Sequence, residues 1–352
     1  MKRLKLVLLA AVVGVAIIAA VSSPGMAQPQ PFSVTPTYQD VPYANASDTQ
    51  KLDIYLPSGD EGPFPTVIMI HGGAFQFGDK TWIPEPVVRA LLNDGYAVVS
   101  MNYRLSDEAK FPAAVQDAKA AVRFLRANAT NYNLDSDEFV AYGDSSGGNL
   151  ASMVGVSSDV PYSDDPNIGN PGVSSRVKAV IDAAGPTDFS VMDEQAKAQG
   201  CAASDQTHNI ADSGESLYLG APVPTVPDLV QQSNPTTYID GTDPPFLVQK
   251  GDQDCTVPIE NTKMLADALR AGGVDVEYDL IEGAGHGGPV FDDGVVQNVL
   301  PFLNRVVEGQ PGGGNLPTSG GPSLVPVLLV VGPIVVLLLV AGGRVVLTRQ
   351  RP

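Results

Sequence analysis

The stretch VAYGDSSGGNLAS, residues 140–152, runs from an apolar segment through a cluster of serines and glycines into a helical pattern. Within it, Gly143-Asp144-Ser145-Ser146-Gly147 has the spacing G-x-S-x-G. On a strand–turn–helix, that spacing lifts the middle serine above the end of a sheet. The flanking glycines remove Cβ atoms where the chain turns most sharply. Ser145, rather than Ser146, is therefore the candidate nucleophile. The competing reading is an ordinary small-residue turn leading into a helix.

Outward from this stretch, β-rich runs alternate with amphipathic ones. Strands are expected at 51–57, 66–71, 96–103, 138–143, 177–185, 245–251 and 276–283. Several are continuously apolar, as befits strands buried on both faces. Helices are expected at 84–95, 111–129, 147–156, 258–273 and 295–307, with Gly95 and Gly272 as C-caps of two of them. The alternation predicts an α/β fold over residues 37–308, with a mostly parallel central sheet and helices on both faces. Residues 186–244, rich in Pro, Asp and Ser, lack strand character and are expected to form a small partial cap over the sheet edge.

A serine nucleophile needs a base, and the chain holds three histidines, His71, His208 and His286. In the order Ser…Asp…His the base comes last. His286, in EGAGHGG directly after the 276–283 strand, fits; His208 lies in the irregular region and is expected at the surface, and His71 closes a strand. The acid must follow the 245–251 strand, where QKGDQDCTVP offers both Asp252 and Asp254; spacing alone leaves the two open. An oxyanion hole needs backbone N–H donors. Ser146, next after the nucleophile, supplies one. Gly72 and Gly73, in HGGAF after the 66–71 strand, are the other candidates.

Taken together, IHGGAFQFGDK (70–80), NYRLSDEAKFPAAVQDAKAAVRFLRANA (102–129), GDSSGGNLAS (143–152), VIDAAGPTDF (180–189), the segment 243–278 and GAGHG (283–287) resemble the α/β-hydrolase superfamily. Within it, they are most similar to the hormone-sensitive-lipase-like and feruloyl/acetyl-xylan-esterase-like carboxylesterases. The resemblance covers residues 37–308. It implies an α/β-hydrolase fold and hydrolysis of carboxylic esters through a Ser145–His286–Asp254 triad. Asp254 is preferred over Asp252 because it matches the last residue of the family's G-x-x-D. No cofactor or metal is implied. Three positions depart from the pattern: Ala74 replaces a third glycine, Ser146 replaces alanine, and Lys250 stands where a histidine is usual. The alternatives to an esterase of short acyl groups, acetyl or feruloyl among them, are a prolyl-oligopeptidase-like peptidase and a non-catalytic surface binding module. Ser146 and the short leader argue against the first. The intact set of triad residues argues against the second.

The two ends read as targeting segments. MKRLK followed by an apolar run and GMAQ predicts a signal peptide over 1–27, cleaved after Ala27. Residues 309–323 form a Gly/Pro-rich stalk whose Leu316-Pro317-Thr318-Ser319-Gly320 resembles a sortase signal, with Ser319 in place of the usual threonine. A transmembrane helix is expected over 324–343 and a basic cytoplasmic tail over 344–352. The expected product is a surface-anchored protein whose partners are an ester substrate, the membrane and a sortase-type transpeptidase. Export makes a Cys201–Cys255 disulfide the expected use of the two cysteines. The net charge of −18 becomes −24 once the six terminal cations, Lys2, Arg3, Lys5, Arg344, Arg349 and Arg351, are set aside. Such a field repels nucleic acid.

Overall fold

The computed structural model describes residues 34–59, 61–158, 160–165, 167–287, 293–307, 327–331, 334–341 and 344–347. An eight-stranded sheet is formed by β1 (Tyr38–Pro42), β2 (Lys51–Tyr55), β3 (Phe64–Ile70), β4 (Ala97–Met101), β5 (Leu134–Asp144), β6 (Ala179–Ala183), β7 (Phe246–Gly251) and β8 (Val276–Ile281). Their order is β1-β2-β4-β3-β5-β6-β7-β8. The β1/β2 and β2/β4 pairs are antiparallel and the rest parallel. The expected strands are all present. β1 was not foreseen: it is a short, exposed edge strand, its register broken between Tyr38 and Val41, without an apolar alternation to betray it.

Helices cover both faces. On one side α2 (Ala113–Ala127), α4 (Ser146–Val156) and α8 (Ile259–Ala271) bury Val115, Leu125, Leu150, Met153, Leu265 and Leu269 against the sheet. On the other, α1 (Glu85–Asn93) and α9 (Asp293–Val306) bury Val87, Leu91, Val299 and Phe302. Gly95 follows α1 with φ 85°, as a helix-ending glycine should. After α8 the left-handed residue is Gly273 (φ 81°), one position beyond the expected Gly272. The chain leaves β3 for α1 on one face and β5 for α4 on the other. The C-terminal ends of these neighbouring strands therefore open a crevice at a topological switch point, the place where such sheets bind ligands.

Residues 186–244 form no strand among the described residues. They hold α5 (Met192–Gln199), α6 (Gly214–Leu219), α7 (Pro227–Ser233) and short 3₁₀ turns. Tyr218 stacks on Phe75 of the loop after β3 at 3.9 Å between ring centroids. Asn149 Nδ2 donates to the carbonyls of Pro186 and Ser233 and ties both ends of the segment to α4. Its helices are too short for sequence periodicity to reveal them.

Within 324–343, where a membrane helix is expected, the described residues are strands. Val327–Val331 (β9), Ile334–Ala341 (β10) and Arg344–Leu347 (β11) form a three-stranded antiparallel sheet instead. Valine and isoleucine dominate the run and favour extended backbone. In sequence, Gly332-Pro333 and Gly342-Gly343 cut it into strand-length pieces. No helix among the described residues is long and apolar enough to cross a membrane. The basic tail expected over 344–352 begins within β11. Its remainder, the signal peptide over 1–27 and the LPTSG stalk over 309–323 lie outside the described residues.

Candidate active site

Ser145 stands in the turn between β5 and α4 with φ 52° and ψ −123°. That conformation costs an L-residue about 1–3 kcal/mol. It is held by donation of the Ser145 N–H to the Ala183 carbonyl at 2.8 Å. The two motif glycines are there because nothing larger fits. A Cβ on Gly143 would lie 1.9 Å from the Gly147 carbonyl oxygen, and one on Gly147 would lie 2.0 Å from that of Ile70.

The three expected side chains meet. Ser145 Oγ lies 2.9 Å from His286 Nε2, and His286 Nδ1 lies 2.8 Å from Asp254 Oδ2. Asp254 is fully buried and His286 half-buried. The other carboxylate oxygen, Oδ1, accepts from the N–H groups of Thr256 (2.9 Å) and Val257 (3.0 Å). Burial works to raise the Asp254 pKa. The His286 hydrogen bond and the Lys250 ammonium outweigh it and hold the carboxyl below its ordinary range. Asp252 turns away and accepts from the Gly283 N–H at 2.7 Å, so geometry separates the two acids that spacing left open.

The acid loop is fastened from the cap. Cys201 and Cys255 are bonded, with Cα atoms 5.6 Å apart, as expected. Gln199, at the end of α5, donates to the Asp254 carbonyl at 2.7 Å and accepts from the Ile259 N–H at 2.9 Å. The Gln199 contacts carry no local sequence signal, because their partners lie 55 and 60 residues further along the chain.

The oxyanion candidates divide. The Gly72 N–H donates to Asp144 Oδ1 at 3.0 Å and is thereby committed. Gly72 serves instead by close approach, since a Cβ there would sit 2.4 Å from Asp144 Oδ2 and 3.1 Å from Ser145 Cβ. Among the described residues no hydrogen bond takes up the N–H groups of Gly73, Ala74 or Ser146. Gly73 (φ 119°), Ala74 (φ 53°) and Phe75 (φ 60°) follow one another in positive-φ conformations. Lys80 anchors the loop's far end: its Nζ lies 2.6 Å from Asp53 Oδ2 and 3.1 Å from Asp40 Oδ1. Asp144 was passed over as the variable position of G-x-S-x-G. Burial pushes its carboxyl up to about 6, against the pull of the Gly72 N–H and of His286.

The other histidines are structural. His71 is buried, stacked on Tyr103 at 4.5 Å, with Nδ1 2.7 Å from the Gly72 carbonyl. His208 is not a surface residue as expected; it is half-buried, with Nδ1 3.2 Å from Glu215 Oε1 of α6. A cavity of about 230 Å³ is lined by Met69, Ile70, Trp82, Ile83, Pro84, Tyr142 and Asp144; neither Ser145 nor His286 borders it. Among the described residues no group of three or more His, Cys, Asp or Glu is arranged to hold a metal ion.

The parallel sheet, the serine turn at its switch point and the Ser–His–Asp hydrogen-bonded series define an α/β-hydrolase. The chain belongs to the BD-FAE family, whose model matches residues 52–269. It is similar to the esterase LipC of Mycobacterium tuberculosis, 26% identical over 69% of this chain and 59% of that protein. It is also similar to a probable isoprenylcysteine alpha-carbonyl methylesterase, ICMEL1, of Arabidopsis thaliana, 26% identical over 67% of this chain and 48% of that protein. The chain thus spans about half to three-fifths of the length of these relatives. Among solved structures, a truncated carbohydrate esterase from gut microbiota is 30% identical with a TM-score of 0.71, over 80% of this chain and 99% of that one. A bifunctional GH43-CE protein of Bacteroides eggerthii is 35% identical with a TM-score of 0.69, over 77% of this chain and 35% of that one.

Proposed function

We propose that the protein is a secreted serine carboxylesterase acting on short acyl esters, acetyl or feruloyl groups on carbohydrate among them. The reading rests above all on the hydrogen-bonded series from Ser145 Oγ through His286 to Asp254. Ser145 Oγ attacks the ester carbonyl while His286 Nε2 takes its proton. Asp254 fixes the imidazole tautomer and balances the imidazolium. The N–H groups of Ser146 and Gly73, with Ala74 next to them, receive the oxyanion. His286 returns the proton to the departing alcohol, and water then resolves the acyl-enzyme along the reverse path.

The carbohydrate part of the reading draws on the two neighbours whose names carry that activity. Export is supported by the leader-like N-terminus and the disulfide. Cell fractionation tests it, and activity confined to the cytosol overturns it.

The test of the chemistry is Ser145→Ala. Turnover of p-nitrophenyl acetate is expected to fall about 10³–10⁶-fold, and fluorophosphonate labelling to disappear. Undiminished turnover overturns the assignment. A panel of acyl lengths with acetylated xylan then sets the substrate class, and inactivity on every carbohydrate ester removes that part of the reading.

A further inference from the structure

Lys250 is fully buried at the end of β7, and its ammonium makes two bonds there. Nζ lies 2.5 Å from Asp254 Oδ2 and 2.5 Å from the Val257 carbonyl oxygen. Asp254 Oδ2 is the same oxygen that faces His286 Nδ1. With Thr256 and Val257 on Oδ1, the carboxylate has two donors on each oxygen and no freedom to rotate.

A second buried carboxylate lies on the same side. Asp182 of β6 pairs in register with Val248, and Lys250 follows two residues later on the same face. Asp182 accepts from the Gly185 N–H at 2.7 Å and from the Ser152 hydroxyl at 2.6 Å. Asp182 and Lys250 also attract each other electrostatically. Burial pushes the Asp182 carboxyl up and the Lys250 ammonium down, while each opposes the shift in the other. Opposite Lys250 on β8 stands Leu280, which does not titrate. Among the described residues, the charged groups acting on His286 include Asp254, which is bonded to it, and Asp144; Lys250 is bonded to Asp254 and attracted by Asp182.

We infer that Lys250 is a positioning residue: it clamps the Asp254 carboxylate and joins it to Asp182 in a buried cluster of net charge −1. The cluster is neutralised when His286 becomes imidazolium. This inference rests on the serine-hydrolase reading above. Lys250 keeps the carboxylate aimed at Nδ1 and offsets part of the negative field that would otherwise hold a proton on the imidazole. Asp182 returns some of that field.

The sign follows from charge. Without the Lys250 cation the imidazolium forms more readily, so more alkaline conditions are needed to free the base. Lys250→Met, close in length and uncharged, is expected to move the acid limb of the kcat/KM profile up by about one pH unit. It should also lower the plateau kcat about tenfold with little change in KM. Asp182→Asn is expected to move the limb down. Acetate release from p-nitrophenyl acetate is followed by pH-stat, on protein whose competent sites have been counted with a fluorophosphonate. If wild type takes no fluorophosphonate, the serine-hydrolase reading fails. If wild type is labelled and the Lys250→Met profile superimposes on it, Lys250 only fills space and the inference is overturned. If Lys250→Met does not fold, Asp182→Asn carries the test with Lys250→Arg as the charge-conserving control. An unmoved limb in Asp182→Asn then overturns the inference, and a lowered one beside an unshifted Lys250→Arg upholds it.

Discussion

The two loops that meet at Ser145 are held by opposite means. The acid loop after β7 is fastened by side chains: Lys250, Gln199 and a disulfide converge on residues 254–257. The loop after β3, though anchored at its far end by Lys80, and the serine turn take their shape from backbone conformation. Ser145, Ala74 and Phe75 sit at positive φ, and Gly72, Gly143 and Gly147 stand where a Cβ has no room. The difference follows from what each loop presents. A buried carboxylate needs its charge balanced and its oxygens filled, which distant side chains can do. A pocket for a developing oxyanion needs bare N–H groups near the substrate. Only a tightly turned backbone, free of intervening side chains, provides them.

The largest effect should come from the acid. Asp254→Asn is expected to lower kcat by about 10⁴-fold by favouring the wrong imidazole tautomer, while Asp252→Asn leaves it nearly unchanged. Steady-state kinetics on both variants decides, and the reverse ranking would break the side-chain half of the contrast. Next is the covalent fastening. Replacing Cys201 and Cys255 by serine should cost about 4 kcal/mol in urea unfolding, because the bond closes a loop with a sequence separation of 54. A loss near zero would mean that Gln199 and Lys250 hold the acid loop unaided.

Asp144 sharpens the backbone half. Its carboxyl is pushed up to about 6, so the native protein binds this proton more tightly than the unfolded chain does. Stability from this group is therefore full below the unfolded value and is lost as pH rises through 6. Asp144→Asn keeps an acceptor for the Gly72 N–H. It should gain about 1–3 kcal/mol over wild type at neutral pH and little in mild acid. Paired urea titrations at the two pH values measure this, and a pH-independent difference would refute the linkage. The smallest change is Ala74→Gly, which relieves a φ of 53° and should stabilise by about 1 kcal/mol or less. A fall in melting temperature would mean that the Ala74 methyl, packed near Gly214 of α6, contributes more than the strain costs.

Much of the catalytic domain is set locally. Alternating apolar runs and amphipathic stretches fix its strands and main helices, because burial on a sheet or helix face imposes a period. The serine turn is local too: Gly143, Ser145 and Gly147 are neighbours whose spacing is itself the steric requirement. Periodicity is silent where elements are short or exposed, as in β1 and the cap helices. Over 324–343, where an apolar run is long enough for a membrane helix, the described residues form the strands β9 and β10, since length and hydropathy do not distinguish helix from sheet once glycine and proline divide the segment.

Sequence by itself determined the class of fold and singled out Ser145 as the candidate nucleophile and, by scarcity, His286 as the candidate base. Spacing left Asp252 and Asp254 open and only the family resemblance favoured Asp254; the tertiary structure brings Asp254 to His286, turns Asp252 to Gly283, and commits the Gly72 N–H to Asp144. The physical reason is range. Turn sterics and periodic burial act between near neighbours along the chain. Hydrogen bonds between groups tens of residues apart exist only after the sheet has brought the ends of β3, β5 and β7 to one edge.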